Sequence, residues 1–198
     1  APRKSTSNSS DRRLALTERR TKWLAIVAIA LLAMNMRTAV GSFSPLVTFI
    51  QEEISLPIVT IGLLGIAAPL AFAIATTMSN VPTRRIGVEK TLIATSLLIV
   101  GGHALRALSW DSTALFVGSM MCLLGMGIGN ILMPVIVRKY FPNRVGLISS
   151  FYISLTALSA SAGSFLAVPF AELGGWRFSL GQWGLMAGLT LLPLIALR

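Results

Sequence analysis

Residues 23–50 read WLAIVAIALLAMNMRTAVGSFSPLVTFI, an apolar segment long enough to cross a membrane as a helix. A bilayer core of about 30 Å needs roughly 20 apolar residues, because a helix rises about 1.5 Å per residue. Five further apolar segments follow, at approximately 58–78, 91–108, 114–137, 145–170 and 176–197. Since a backbone in lipid must satisfy its own hydrogen bonds, the sequence predicts an all-α membrane protein with six transmembrane helices.

The composition agrees with this class of protein. Hydrophobic residues make up 54% of the chain and charged residues 12%, which is about half the charged share of a typical soluble domain. The net charge of +10 could suggest a nucleic-acid-binding protein, but the basic residues flank the apolar segments instead of forming one stripe. We therefore expect the lipid bilayer as a partner, and no nucleic acid.

Basic residues lie at alternate ends of the six segments. The groups on one side are Arg3, Lys4, Arg12, Arg13, Arg19, Arg20 and Lys22, then Arg84, Arg85 and Lys90, then Arg138, Lys139 and Arg144, and finally Arg198. The loops on the other side hold Arg106 and Arg177. The positive-inside rule then predicts that both termini are cytoplasmic. Arg37 belongs to neither group.

Residues 1–22 differ from the rest of the chain, because they are rich in Ser, Thr, Arg and Lys. Such a composition cannot bury a core, so we predict a disordered basic cytoplasmic arm before a six-helix bundle over 23–198. A mitochondrial transit peptide is the alternative, since those are also Arg- and Ser-rich and poor in acidic residues.

The chain carries no pattern that predicts catalysis. The metalloprotease H-E-x-x-H, the phosphate-binding P-loop and the G-x-S-x-G nucleophile elbow are all missing from the sequence. No Asp or Glu lies in the six segments, so a carboxylate proton relay is not visible. We therefore expect neither an enzyme nor a bound metal or cofactor.

Small residues predict where helices approach each other closely. Gly125 and Gly129 form a G-x-x-x-G pair in the fourth segment. The fifth segment has a small residue at every fourth position, which makes one smooth helix face: Ser159, Gly163, Ala167 and Ala171.

Arg37 is the candidate binding residue that the sequence favours. It lies about 21 Å into a core of about 30 Å, where a charge costs about 2.5–3.5 kcal/mol on insertion scales. The structural interpretation is that it extends toward the membrane surface or binds a helix-end carbonyl. The functional interpretation is a cavity residue that binds an anionic or polar substrate through both arms of its guanidinium group.

Three further polar residues are weaker candidates. Helical spacing turns Asn35 about 200° away from Arg37, so an interhelical hydrogen bond is its alternative role. Asn130 and Tyr152 lie at similar depth in the fourth and fifth segments, where packing through hydrogen bonds is the alternative to substrate binding.

Four short motifs resemble one transporter family. The stretch Asn35-Met-Arg-Thr-Ala-Val40 resembles the first-helix signature of the cyanate/2-nitroimidazole permease group of the major facilitator superfamily. Similar to the same group are TRRIGVEK at 83–90, FPNRVGL at 141–147 and GWR at 175–177. In the loop aligned on Gly87, Asn80 and Arg84 stand where the wider superfamily has Gly and Asp.

The resemblance implies a fold and a function. Family members have twelve helices in two halves, so this chain resembles the N-terminal six-helix half. The expected location is a bacterial cytoplasmic (inner) membrane. A separate C-terminal six-helix half is a possible partner. The implied function is secondary active transport of a small solute, a small anion such as cyanate or a small polar compound, by alternating access with proton coupling. The implied substrate-binding residues are Arg37, Asn35, Asn130 and Tyr152, and the implied conformational loop contains Arg84, Arg85, Gly87 and Glu89. The alternative is a truncated, non-transporting membrane protein or a scaffold half that needs a partner chain.

Overall fold

The computed structural model describes the backbone of residues 6–198 and the side chains of residues 16–198. Over this range the secondary structure is helical, with no strand. The α-helices are α1 (Thr6–Asn35), α2 (Thr38–Gly41), α3 (Val47–Gln51), α4 (Ile58–Met78), α5 (Asn80–Ile86), α6 (Val88–Ala107), α7 (Ser112–Tyr140) and α8 (Val145–Ala196). Short 3-10 helices at Ser44–Leu46 and Pro142–Arg144 join α2 to α3 and α7 to α8. Within the described range, five stretches are long and apolar enough to cross a membrane.

The first apolar segment is interrupted in its middle. After α1 ends at Asn35, Met36 and Arg37 leave the helix, and Arg37 has φ −133° and ψ −1° before α2 begins. The prediction of one apolar segment over 23–50 therefore corresponds to α1, α2, a 3-10 turn and α3. Backbone hydrogen bonds continue on both sides of the interruption, from Met36 to the Ala33 carbonyl at 3.1 Å and from Gly41 to the Arg37 carbonyl at 3.0 Å.

The long helix α8 folds back on itself at Gly175. This residue has φ 81° and ψ 163°, a conformation that glycine adopts readily because it has no Cβ. The Ser179 hydroxyl donates to the Ala167 carbonyl at 2.7 Å, although twelve residues of uninterrupted helix would separate them by about 18 Å. The parts on either side of Gly175 match the predicted segments 145–170 and 176–197.

The helices pack around α6 and α8. Helix α6 contacts both α7 and α8, while α1 packs against α8 and α4 against α7. At the end of the bundle near Tyr140, apolar side chains of α1, α6 and α7 form one cluster that includes Leu32, Leu92 and Ile136. Near the opposite end, Leu46 and Trp176 belong to a second cluster. The four predicted small residues of α8 are all buried, as expected for a helix-contact face.

The start of α1 differs from its prediction. Residues 6–22, which we expected to be disordered, continue α1 as a helix, while residues 1–5 of the predicted arm lie outside the described residues. A local side-chain contact favours the helix over its last turn before Trp23, because the Lys22 ammonium pairs with Glu18 one turn earlier at 2.6 Å. Thr21 also donates to the Thr17 carbonyl at 3.0 Å.

An ion pair ties the turn at Gly175 to the loop after α3. The Arg177 guanidinium pairs with the Glu53 carboxylate and also donates to the Ser109 carbonyl at 3.1 Å. Its hydrogen bond holds the pKa of Glu53 below the usual range for a glutamate. Arg177 therefore joins three connecting segments at one end of the bundle.

Candidate functional site

A cavity of about 440 Å³ opens beside the interruption of the first segment. Arg37, Asn130 and Tyr152 line it, together with the less polar Ile153, Thr156, Ala157 and Ala160. Cavities that bind small molecules measure about 300–1,000 Å³, so this one is large enough for a small solute. The structure thus brings together three of the four residues expected to bind substrate, and it takes them from three different helical segments.

The polar ends of these three side chains are free to bind a ligand. Among the described residues, none makes a hydrogen bond or ion pair with the Arg37 guanidinium, the Asn130 amide or the Tyr152 hydroxyl. Arg37 is exposed, while Asn130 and Tyr152 are half-buried. The cavity therefore combines one positive charge, an amide and a phenol hydroxyl. This set of groups can donate several hydrogen bonds to an anionic or polar molecule.

Glycines fix the interrupted segment between α7 and α8. A Cβ at Gly129 would lie 2.6 Å from Cε of Met36, so this glycine makes room for the residue before Arg37. A Cβ at Gly41 would lie 2.6 Å from the Ala160 carbonyl oxygen, and the Ser164 hydroxyl donates to the Gly41 carbonyl at 3.0 Å. The backbone on both sides of Arg37 is thereby held against neighbouring helices.

Asn35 lies away from the cavity. Its side chain is buried, and Nδ2 donates to the Leu31 carbonyl at 2.9 Å and to Oγ1 of Thr190 at 3.3 Å. The contact with Thr190 joins α1 to the last part of α8. Asn35 thus makes the interhelical hydrogen bond named as its alternative role, and the end of α1 at this residue separates it from Arg37.

The burial of Arg106 was not predicted. Its charge was counted with the connecting loops although it falls at the outer end of the segment 91–108, and the structure places it inside α6, where it is fully buried. Among the described residues, none forms a hydrogen bond with its guanidinium nitrogens. Gly118 of α7 provides the space, since a Cβ there would come within 3.0 Å of Cγ of Arg106. Arg37 is therefore one of two arginines within the apolar helical region. The pattern of basic residues missed Arg106 because it lies so close to the end of α6.

His103 lies one turn before Arg106 and is also buried. Its Nδ1 is 2.8 Å from the Leu180 carbonyl, so this nitrogen carries the proton and donates to α8. The contact joins α6 to the last part of α8 and gives His103 a structural role.

The predicted conformational loop consists of α5 and the first turn of α6. Arg84 and Arg85 are exposed near the end of α5, and Gly87 has φ 87° where the chain turns into α6. Glu89 is buried and accepts a hydrogen bond from the Tyr140 hydroxyl at 2.8 Å. It also pairs with the Lys139 ammonium at 2.6 Å. Glu89 therefore connects this loop to the end of α7.

Glu89→Gln is expected to loosen the contact between the loop and α7. Because Lys139 is half-exposed, water screens the pair, and we expect a coupling energy of only about 0.5–1 kcal/mol between the two residues. Thermal unfolding of Glu89→Gln, Lys139→Met and the double variant gives this energy by a double-mutant cycle. Glu18→Gln with Lys22→Met is the matched control for a more exposed pair. Additive effects at Glu89 and Lys139 would contradict the prediction.

The chain is similar in sequence to several known proteins. No protein-family model matches it. It is 32% identical over 173 residues to the 2-nitroimidazole transporter of Escherichia coli. It is 30% identical over 175 residues to the uncharacterized transporter YycB of Bacillus subtilis. Each alignment covers 87% of this chain and 42% of the relative.

The name of a third relative includes the abbreviation MFS, which stands for major facilitator superfamily. The chain is 25% identical over 174 residues to the uncharacterized MFS-type transporter YhjX of Escherichia coli, covering 85% of the chain and 42% of the relative. The chain therefore spans less than half the length of these relatives, which are named as transporters and not as enzymes. The long apolar helices make it an integral, multi-pass membrane protein. Over most of its length the chain is thus similar to less than half of each of three bacterial transporters, one of them named as MFS-type.

Proposed function

We propose that the chain is the N-terminal half of a secondary active transporter that moves a small solute by alternating access. The observation that carries this proposal is the interruption at Met36 and Arg37, beside a cavity with three free polar groups. Transporters of this kind bind their substrates near the middle of the bilayer, often where a spanning helix is discontinuous. A charged residue inside a membrane segment usually marks a substrate or ion pathway, which supports the same role for Arg37.

The proposed substrate is a small anion such as cyanate, or a small polar compound. The Arg37 guanidinium offers a planar pair of donors to an anion, and Asn130 and Tyr152 offer hydrogen bonds to polar groups. The relative named as a 2-nitroimidazole transporter makes a small polar heterocycle the second compound to test. Asn35 supports the site indirectly, by fixing the end of α1 against α8.

A second six-helix half completes the proposed transporter. The relatives are more than twice as long as the part that this chain matches. Arg37 and Ile153 are exposed on the wall of the cavity, so one side of the site is open for another bundle to cover. No acidic residue of the described chain lines the cavity, so a proton-coupled mechanism would take its carboxylate from that second half.

The proposed topology has six spans and two cytoplasmic termini. The break at Gly175 divides α8 into two parts that are each long enough to span, and the basic residues then alternate from side to side. The relatives in Bacillus subtilis and Escherichia coli support a bacterial cytoplasmic membrane. The loop with Arg84, Arg85, Gly87 and Glu89 lies on the cytoplasmic side in this topology. There, the bond from Glu89 to α7 would open or close during the transport cycle.

Transport assays of the chain with and without a second half test the proposal. Cells that lack endogenous uptake would express the chain alone, or together with six further helices taken from the C-terminal half of the 2-nitroimidazole transporter relative. We expect accumulation or efflux of labelled cyanate or 2-nitroimidazole with both halves present. The same assay tests one alternative, a non-transporting scaffold. Stable assembly of the two halves without movement of either compound would support that function and contradict ours.

A further inference from the structure

A second and larger cavity lies at the end of the bundle where α1 becomes apolar. It measures about 860 Å³ and is bounded by residues around Lys22 and Trp23 of α1 and by the connection from α7 to α8. This volume falls in the range of about 300–1,000 Å³ that is common for ligand sites. The cavity lies outside the proposed transport site, since the two share no lining residue.

The charge around this cavity is positive and partly unpaired. Four cations line it, Arg19, Lys22, Lys139 and Arg144, together with one carboxylate, Glu18. Lys22 pairs with Glu18 and Lys139 pairs with Glu89. Among the described residues, none pairs with the side chains of Arg19 or Arg144, and both are exposed. Two free guanidinium groups therefore border one concave surface.

Apolar and aromatic side chains form the rest of the wall. Trp23 is 59% exposed at the start of the apolar segment, and Ile26 lies one turn further along α1. Phe141 is buried behind the cavity, and the Tyr140 ring lies under the Lys139 ammonium at 5.6 Å. Tryptophan is enriched at the boundary between lipid and water, which places the cavity at headgroup depth. A free anion in solution would use the arginines but not this apolar wall.

We propose that this cavity binds an anionic phospholipid. Arg19 and Arg144 hold the phosphate, since a guanidinium group binds phosphate oxygens in a bidentate manner. An acyl chain then follows Trp23 and Ile26 along α1 into the bilayer. Basic pockets between membrane helices bind anionic headgroups in this way. The bound lipid would hold the middle of α1 against the α7–α8 connection. Lipid binding at this cavity requires a membrane but not transport activity. This proposal and the proposed transport function can therefore fail independently.

Lipid retention by the purified protein tests this site. The protein in detergent would be mixed with equal amounts of phosphatidylglycerol and phosphatidylcholine, and bound lipid would be counted by native mass spectrometry. We expect phosphatidylglycerol to be retained in preference and to raise the thermal unfolding midpoint. Arg19→Gln with Arg144→Gln is expected to weaken this retention about 25-fold, since a direct contact between an exposed guanidinium and the phosphate contributes about 1 kcal/mol, or about a factor of five in affinity. Both arginines are exposed, so their replacement leaves the buried core unchanged.

The neighbouring arginines provide a matched control. Arg20 and Arg138 are exposed, adjoin Arg19 and Lys139 in sequence, and do not line the cavity. Arg20→Gln with Arg138→Gln removes the same charge and should leave retention unchanged. An equal loss in both double variants would show a general attraction to charge and overturn the site. Equal binding of the two lipids would overturn it too, as would displacement of the lipid by millimolar inorganic phosphate.

Discussion

Arg37→Ala is expected to weaken substrate affinity about 10- to 150-fold in the transporter assembled from both halves. A hydrogen bond to a charged group contributes about 1.5–3 kcal/mol, and each 1.4 kcal/mol corresponds to a factor of ten in affinity. Arg37→Lys should give an intermediate loss, because lysine keeps the charge but not the planar pair of donors. The measurement is the concentration dependence of cyanate and 2-nitroimidazole transport in each variant.

The control for Arg37 is a cation of similar exposure outside the cavity. Arg138 is exposed on α7 and lines neither cavity, so Arg138→Ala should transport as the unmodified protein does. Unchanged affinity and rate in both Arg37 variants would exclude this arginine from the binding site. Equal losses in Arg37→Ala and Arg138→Ala would instead indicate an effect of total charge.

Gly102→Ala is expected to destabilise the bundle by about 1–3 kcal/mol, the usual effect of overpacking a tight interior. A Cβ at Gly102 would lie 2.6 Å from Sγ and 2.7 Å from the backbone nitrogen of Cys122, and 2.8 Å from the Gly118 carbonyl oxygen. Two of these three atoms belong to the α7 backbone, so the helices must separate. Gly102→Leu should prevent recovery of folded protein. The unfolding midpoint in detergent measures the first effect, and yield after size-exclusion chromatography measures the second.

Gly62→Ala is the matched control, because it adds the same methyl group without a close contact. It lies on α4, where a Cβ would meet no atom within 4 Å. Alanine is a better helix former than glycine by about 1 kcal/mol, so Gly62→Ala should leave the midpoint unchanged or raise it slightly. If Gly102→Ala and Gly62→Ala unfolded at the same temperature, the close crossing of α6 and α7 would be wrong.

The sequence predicted the long apolar helices well because length and hydropathy are local properties. The segment 58–78 agrees with α4 at both ends, and the other predicted segments lie largely in helix, although the first is interrupted at Met36 and Arg37. Gly125 and Gly129 are both buried at contacts with other segments, but these partners could not be predicted. Gly125 meets Ile99 of α6, whereas Gly129 meets Met36. Which helices become neighbours depends on the whole bundle and is not encoded in a spacing of four residues.

The remaining differences come from tertiary contacts. Gly102 and Gly118 lie sixteen residues apart in different helices, so no short pattern marks them as one crossing point. Asn35 was predicted to face away from Arg37 and does not line the cavity, but its partner Thr190, 155 residues away, could not be predicted. The meeting of Asn130 and Tyr152 at one cavity agrees with their similar predicted depth, whereas Arg37, which also lines it, was predicted to lie deeper. Their role in binding substrate stays a prediction.

The burial of Arg106 has a consequence for biosynthesis. With His103 and Arg106 in its last two turns, α6 has the lowest hydropathy of the five spanning stretches. An arginine costs about 2.5–3.5 kcal/mol at the centre of a spanning helix on insertion scales, and less near a helix end, where Arg106 lies. The Arg106 side chain packs against Gly118 of α7, and only residues 108–111 separate the two helices. We therefore expect the ribosome-bound chain to deliver α6 and α7 into the bilayer as one helical hairpin, with α7 shielding the charge from lipid.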